Sequence, residues 1–353
     1  MKCRLKAKGW NQKARSALER LIQRGSGQHL PVVFDFDNTI ISGDVGEAVL
    51  AILAAEGRIS PSSICKTLCP DLSPLGREKL RVENCSNVME YYEALLAPTA
   101  HGPADPSPLA NAYVWATEVM EGLTVADVLS ATARVYQLGR ANPDASITVM
   151  PGMTPYPVPR FHEEMVELIG QLLRLKYEVW IVSASNVWSV RWMVLHGLNP
   201  LLKAQGVAEG LAPHHVIGVA TLMENSEGRF YKDSVLIREQ ARYAALDSKM
   251  AKAFRITRHL QFPVPVYSGK VACVLDTVGR TPYLCAGDSL SDHPMLKFSR
   301  HRLWIARQDK PQSQHATRAL IRQTGEAGWI LQAVQAGGKF SPEVDRGSRG
   351  WHG

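Results

Sequence analysis

Three short apolar runs, each ending in small or polar residues, stand out in the pattern of this 353-residue chain. They are "PVVFDFDNT" (31–39), "YEVWIVSASN" (177–186) and "PYLCAGDSLSD" (282–292). Near-continuous hydrophobicity predicts strands buried on both faces, as in a parallel sheet. Before the second run, "FHEEMVELIGQLLRLK" places Met165, Leu168, Leu172 and Leu175 on one helix face. After it, "NVWSVRWMVLHG" reads as a helix that Gly197 should close. The alternation predicts an α/β fold with a Rossmann-like, doubly wound parallel sheet.

The gap between the first two strands is far longer than one crossover needs. Within it, 45–57, 77–97 and 109–138 read as helices, separated by Pro- and Gly-rich stretches such as "APTAHGPADPSPLA" (97–110). The expected organisation is a discontinuous core, 1–44 and 151–336, with 45–150 inserted as a helical cap. Residues 337–353 are expected to be a disordered tail. In the second half, "HHVIGVATLMENSEGRFY" predicts a hairpin around Asn225–Gly228.

Composition changes this picture little. A hydrophobic share of 45% and a charged share of 21% are those of an ordinary soluble protein. The net charge of +7 would attract nucleic acid, anionic lipid or an anionic substrate without choosing among them. Lys2, Arg4, Lys6, Lys8, Lys13, Arg15, Arg20 and Arg24 crowd the start, opposed only by Glu19. Trp10, Ala14, Ala17, Leu18, Leu21 and Ile22 recur there at helical spacing, so an amphipathic helix packed on the core is preferred to a nucleic-acid arm or a transit peptide. No apolar stretch is long enough to span a bilayer and none resembles a secretory signal, so a cytoplasmic location is expected, with no membrane partner. Cys3, Cys65, Cys69, Cys85, Cys273 and Cys285 are scattered, unlike a disulfide framework. "CKTLC" puts Cys65 and Cys69 four apart, on one helix face if helical, but no second pair nearby completes a zinc site.

The chemistry lies at the ends of the three runs. In open α/β sheets reactive groups gather beyond the carboxyl ends of the strands. The first run supplies Asp35 and Asp37, the second Ser183, and the third Asp288 and Asp292; Lys270 precedes the third. Carboxylates, a hydroxyl and an ammonium from distant parts of the chain suit phosphate-monoester hydrolysis. A carboxylate nucleophile and a phosphate dianion repel unless Mg²⁺ and a lysine screen them. Asp35 would attack phosphorus and form an aspartyl-phosphate. Asp37 would protonate the leaving alkoxide and later take a proton from water. Ser183, with the backbone N–H groups of Ala184 and Ser185, would hold phosphate oxygens. Asp288 would bind the metal, and Asp292 would fix its geometry or bind it through water.

"DFDNT", "VSAS", Lys270 and "GDSLSD" resemble, in order and context, the four motifs of the haloacid-dehalogenase-like phosphatases. The resemblance spans about residues 30–310. It implies a Rossmann-like core, Mg²⁺ and an aspartyl-phosphate, with Asp35 as nucleophile, Asp37 as acid and base, Ser183 and Lys270 on phosphate, and Asp35, Asp37, Asp288 and Asp292 around the metal. The long insert after the first motif is similar to the cap of the phosphoserine phosphatase-type subgroup.

Within that subgroup, "FDFDNTIISGDVGEAVL", "YYEALL", "YVWATEVMEGLT" and "HHVIGVATLMEN" look most like phosphorylcholine phosphatases. That would place Glu47, Tyr91, Tyr92 and Trp115 near the leaving group, where aromatic faces and a carboxylate suit a quaternary ammonium. The plainer alternative makes the aromatic residues core and Glu47 solvated. Gly46 departs from the pattern, in which a second acid precedes the glutamate. Phosphoserine or phosphoethanolamine on the same machinery, and a phosphotransferase using an alcohol acceptor, stay open. So does a basic nucleic-acid-binding protein on a phosphatase fold, although intact residues at every motif argue against it. The expected partner is a small phosphorylated metabolite; oligomeric state is not readable. His214–His215 are expected in a loop or core, Lys232 and Asp233 as surface charge, and Asp44 as a helix cap.

Overall fold

The computed structural model describes residues 3–69, 71–72, 80–99, 111–237 and 246–343. Six strands form its central sheet: β1 (Pro31–Phe34), β2 (Glu178–Asn186), β3 (Val216–Val219), β4 (Leu284–Gly287), β5 (His301–Arg307) and β6 (Trp329–Val334). Their spatial order is β6-β5-β4-β1-β2-β3, with every pairing parallel. This is the doubly wound Rossmann order, and it reverses between β1 and β4. The three runs read from sequence are β1, β2 and β4.

Alternate residues of each strand enter opposite layers, as strand geometry requires. Val33, Val182, Cys285 and Trp304 face a cluster containing Val274, Met295 and Leu296. Val32, Phe34, Ile181 and Leu284 face the larger cluster that holds Leu18, Ile22, Leu168 and Leu172. Helices therefore cover both faces. Helix α1 (Gln12–Arg24) belongs to the second layer, and its Ala14, Leu18, Leu21 and Ile22 are buried. The basic start is thus a packed helix and not an arm.

Between β1 and β2 lie α2 (Val45–Ala55), α3 (Val88–Thr99), α4 (Ala112–Glu118) and α5 (Val125–Ala141). Part of the expected 77–97 helix lies outside the described residues, and the expected 109–138 helix is two, α4 and α5, broken at Val119–Thr124. The predicted hairpin forms, pairing Thr221–Glu224 with Phe230–Tyr231.

Several expectations are corrected. Gly197 does not end a helix: the chain continues after β2 through Val187–Met193 and a wider turn to Ala204, and Gly197 fits against the Phe161 ring. Cys65 and Cys69 flank a short 3-10 turn, Lys66–Leu68, and do not share a helix face. Asp233 is not surface charge but a buried partner of Arg191. His214 and His215 pack against Trp180, in keeping with a loop or core role. No helix among the described residues is long and apolar enough to cross a membrane.

The tail is also corrected as far as Glu343. Phe340 is buried edge-on against Trp10, ring centroids 5.4 Å apart. Gln332 of β6 ties this corner together without any exposure of its own. Its Oε1 accepts from Asn11 N–H at 2.9 Å, and its Nε2 donates to the carbonyls of Gly9 (3.1 Å) and Ser341 (3.0 Å). Residues 344–353 lie outside the described set. Gln332→Leu keeps the volume but leaves these backbone groups unpaired, so a stability loss of about 3 kcal/mol is expected. Urea unfolding should show a lower midpoint at unchanged slope; an unshifted midpoint would mean the network contributes nothing.

Candidate active site

After β1 the chain must turn sharply while keeping two carboxylates at the strand end. Asn38 takes the left-handed conformation (φ 56°), which asparagine tolerates better than most residues. Its N–H donates to Gly43 O at 3.0 Å, and its Oδ1 accepts from Gly43 N–H at 3.2 Å. The closed turn delivers Asp44 as the N-cap of α2, where it accepts from Glu47 N–H at 2.9 Å. It also aims Val45 N–H at Asp37 Oδ1, 2.7 Å away.

Two further devices position the remaining groups. Helix α10 (Ser268–Thr277; α6 to α9 are Glu163–Arg174, Val187–Met193, Asn199–Ala204 and Ser248–Ala253) begins at a tight turn with Tyr267 at φ 48°. A Cβ on Gly269 would lie 1.9 Å from Val264 O, so only glycine lets the turn close and bring in Lys270. At the end of β4, a Cβ on Gly287 would lie 2.5 Å from Asp292 Cγ; its absence lets Asp292 fold back over the strand end.

These elements bring the six expected core residues together. Lys270 Nζ lies 2.7 Å from Asp35 Oδ1 and 2.6 Å from Asp292 Oδ1, with all three side chains buried. Asp292 Oδ2 accepts from the N–H groups of Asp288 (3.1 Å) and Ser289 (3.0 Å) and from Ser289 Oγ (3.0 Å). Oxygens of Asp35, Asp288 and Asp292 lie within 4.8 Å of one another, a donor set that fits a hard divalent cation.

Asp37 departs from expectation. Its carboxylate is not in that cluster: Oδ2 accepts from Ser183 Oγ (3.0 Å) and Ser185 Oγ (2.8 Å). Ser183 is fully buried, and it accepts from Ser185 N–H at 3.0 Å. In this arrangement Ser183 orients Asp37, and the Ser185 N–H is already engaged.

Electrostatics set the roles apart. Burial, then the neighbouring Asp292, pushes Asp35 well above the usual carboxylate range, against the pull of Lys270. Burial raises Asp37 to about 7, helped by Asp44 and opposed by its three hydrogen bonds. Asp288 also rises to about 7 through burial, although Arg307 opposes it. Burial works against the Lys270 charge, yet Asp292 and Asp35 outweigh it and hold the ammonium protonated. Three buried carboxyls thus share one ammonium and one guanidinium, an arrangement that an added positive charge would relieve.

A small cavity adjoins Asp37, lined by Asp44, Glu47, Tyr92, Tyr113, Thr117 and Met120 among others. Tyr92 Oη donates to Glu47 Oε1 at 3.0 Å. Of the four tentative substrate residues, Glu47 and Tyr92 reach this cavity. Tyr91 and Trp115 do not line it; they are buried, with ring centroids 5.3 Å apart and the Trp115 ring stacked on Tyr92 at 6.3 Å. Gly46 is packed so closely that a Cβ would meet Ser185 Oγ at 2.6 Å, which leaves no room for a second acid there.

Sequence reasoning missed Tyr113, the cavity role of Asp44, and Arg307. Arg307 Nη1 donates to Asp288 Oδ2 at 3.1 Å. The signal was present: Arg307 and Asp309 stand at the end of the apolar run "RLWIAR", a strand not recognised as one.

No family model matches the chain. Over 323 residues it is 24% identical to a phosphorylcholine phosphatase of Pseudomonas aeruginosa, covering 86% of this chain and 82% of that one. A crystal structure of a conserved protein of unknown function from Anaerococcus prevotii superposes with a TM-score of 0.64 at 17% identity, covering 97% and 98% of the two chains, and so shares the fold. A substrate-bound phosphoserine phosphatase aligns more loosely, with a TM-score of 0.40 at 13% identity over 81% of this chain and 89% of that one. With strand-end motifs in the order that resemblance implied and a phosphatase aligned along most of its length, the chain is similar to the haloacid-dehalogenase-like phosphatases and is a phosphoric monoester hydrolase.

Proposed function

We propose that this hydrolase works through an aspartyl-phosphate on Asp35, with Mg²⁺, on a small metabolite whose leaving group is cationic, phosphocholine being the best fit. The observation that carries the covalent reading is the Lys270 bridge, which neutralises Asp35 beside an acidic cluster able to hold a cation. Asp35 and Asp288 would hold the ion, with Asp292 fixing their geometry. Bound there, Mg²⁺ supplies charge stabilisation to the phosphoryl oxygens.

Asp35 attacks phosphorus as the P–O bond to the leaving group breaks. Asp37, raised to about 7, is protonated often enough near neutrality to give its proton to the departing alkoxide. As a carboxylate it then takes a proton from water, whose oxygen attacks phosphorus and releases Asp35 and inorganic phosphate. Ser183 and Ser185 hold the Asp37 carboxyl in place through its Oδ2. We take 45–150 as the cap, since Glu47, Tyr92 and Tyr113 come from it to the cavity.

The leaving-group assignment rests on charge. Asp44 and Glu47 with two phenol rings favour an ammonium and repel the carboxylate of phosphoserine. Trp115 stacks on Tyr92 and is itself packed by Tyr91.

Asp35→Asn should abolish turnover and the acid-stable phosphoryl-enzyme seen after rapid quench; turnover that survives would eliminate the covalent route. EDTA should stop wild-type activity and Mg²⁺ should restore it. For Asp37→Asn, a fall of about 10²–10⁴-fold in kcat is expected with KM little changed, measured on a poor leaving group. An activated aryl phosphate should be hurt less, and equal losses on both would count against Asp37 as the acid. Glu47→Gln should raise KM for phosphocholine about tenfold, roughly 1.4 kcal/mol, while leaving that for phosphoserine unchanged or lower. A rise of equal size for both would remove the ammonium subsite.

A further inference from the structure

We propose that Arg307 is a positioning residue that limits Asp288 to one available oxygen and so tunes the carboxylate cluster to Mg²⁺ over Ca²⁺. The proposal rests on the reading of that cluster as a cation site.

The hydrogen bonds of the cluster are unusually complete. Asp292 has both oxygens engaged, Oδ1 by Lys270 at 2.6 Å and Oδ2 by three donors from Asp288 and Ser289. Lys270 takes Asp35 Oδ1 at 2.7 Å, and Arg307 takes Asp288 Oδ2 at 3.1 Å. Among the described residues, Asp35 Oδ2 and Asp288 Oδ1 are the cluster's oxygens with no hydrogen-bond donor. Asp292 is thus a holder, and Asp35 and Asp288 can each offer one oxygen. That suits a small ion of strict octahedral geometry that keeps several waters. Ca²⁺ instead takes roughly six to eight oxygens and favours bidentate carboxylates.

Two devices enforce the limit, and they differ in kind. Lys270 belongs to the catalytic machinery. Arg307 stands outside it, at the end of β5 beside the strand that carries Asp288. Its own geometry is fixed from the far side: Nε and Nη2 donate to the two oxygens of Asp309 at 3.2 and 2.8 Å, the paired fork that guanidinium and carboxylate form. Held there, only Nη1 faces Asp288, and it covers Oδ2. Removing it frees that oxygen and lets Asp288 bind through both.

The test is calorimetric titration of Mg²⁺ and of Ca²⁺ into the metal-stripped full chain and three variants. Wild type should bind Mg²⁺ in preference. Arg307→Met should raise Ca²⁺ affinity relative to Mg²⁺ by about tenfold, and Arg307→Lys should keep the wild-type ratio, because an ammonium can still cover Oδ2. Asp309→Asn should shift the ratio part of the way. A merely structural role for Arg307 would lower both affinities alike, so an unchanged ratio in Arg307→Met overturns the proposal. If that variant does not fold, Asp309→Asn decides in the same way: a shifted ratio supports the proposal and an unshifted one overturns it. Wild type binding neither ion would remove the cation site itself, and the proposal with it.

Discussion

Lys270 is buried between Asp35 and Asp292, and the rest of the catalytic end depends on that bridge. Ionised carboxylates removed from water cost on the order of several kcal/mol each unless they are paired and hydrogen-bonded. One ammonium reaching two of them makes the arrangement tolerable, and the backbone then completes it. Asp292 accepts three hydrogen bonds besides. The glycines at 269 and 287 serve the same end, since a methyl group at either would displace the lysine turn or the aspartate folded over its strand.

The acid left over after this pairing is distributed by task. Asp35 and Asp288 stand with Asp292 in a cluster that fits a divalent cation. Asp37 is turned away toward two serine hydroxyls and one backbone N–H, which oppose but do not cancel the rise to about 7 that burial causes. Asp44 and Glu47 line the adjoining cavity, and burial raises both above the usual carboxylate range, Asp44 to about 7. Within residues 35–47, Asp35, Asp37 and the Asp44–Glu47 pair thus become three kinds of carboxylate through differences in neighbours.

Much of this was legible beforehand. Asp35, Asp37, Ser183, Lys270, Asp288 and Asp292 were recognisable because each follows or precedes an apolar run that had to be a buried strand. Rules about strand ends then bring distant residues to one edge. The predicted amphipathic α1 and the hairpin at Asn225–Gly228 were local patterns of the same kind. Arg307 escaped because β5 begins with His301 and Arg302, which disguise a strand as surface. Gln332 and Asp233 escaped because a polar residue reads as exposed until a partner is known. Gln332 meets Asn11 across 321 positions, and Asp233 meets Arg191 across 42.

Chemistry-bearing residue types, their order and the elements that carry them were properties of the chain alone, because hydrophobic period and turn chemistry act over a few neighbouring positions. Which oxygen each carboxylate turns toward its neighbours was not. Tertiary packing decided that Asp37 would face Ser183 and Ser185 instead of the carboxylate cluster, that Arg307 would cap Asp288, and that Tyr92 but not Tyr91 would reach the cavity. The reason is physical: burial and hydrogen-bond partnership depend on distances between remote segments, and a one-dimensional pattern carries no record of them.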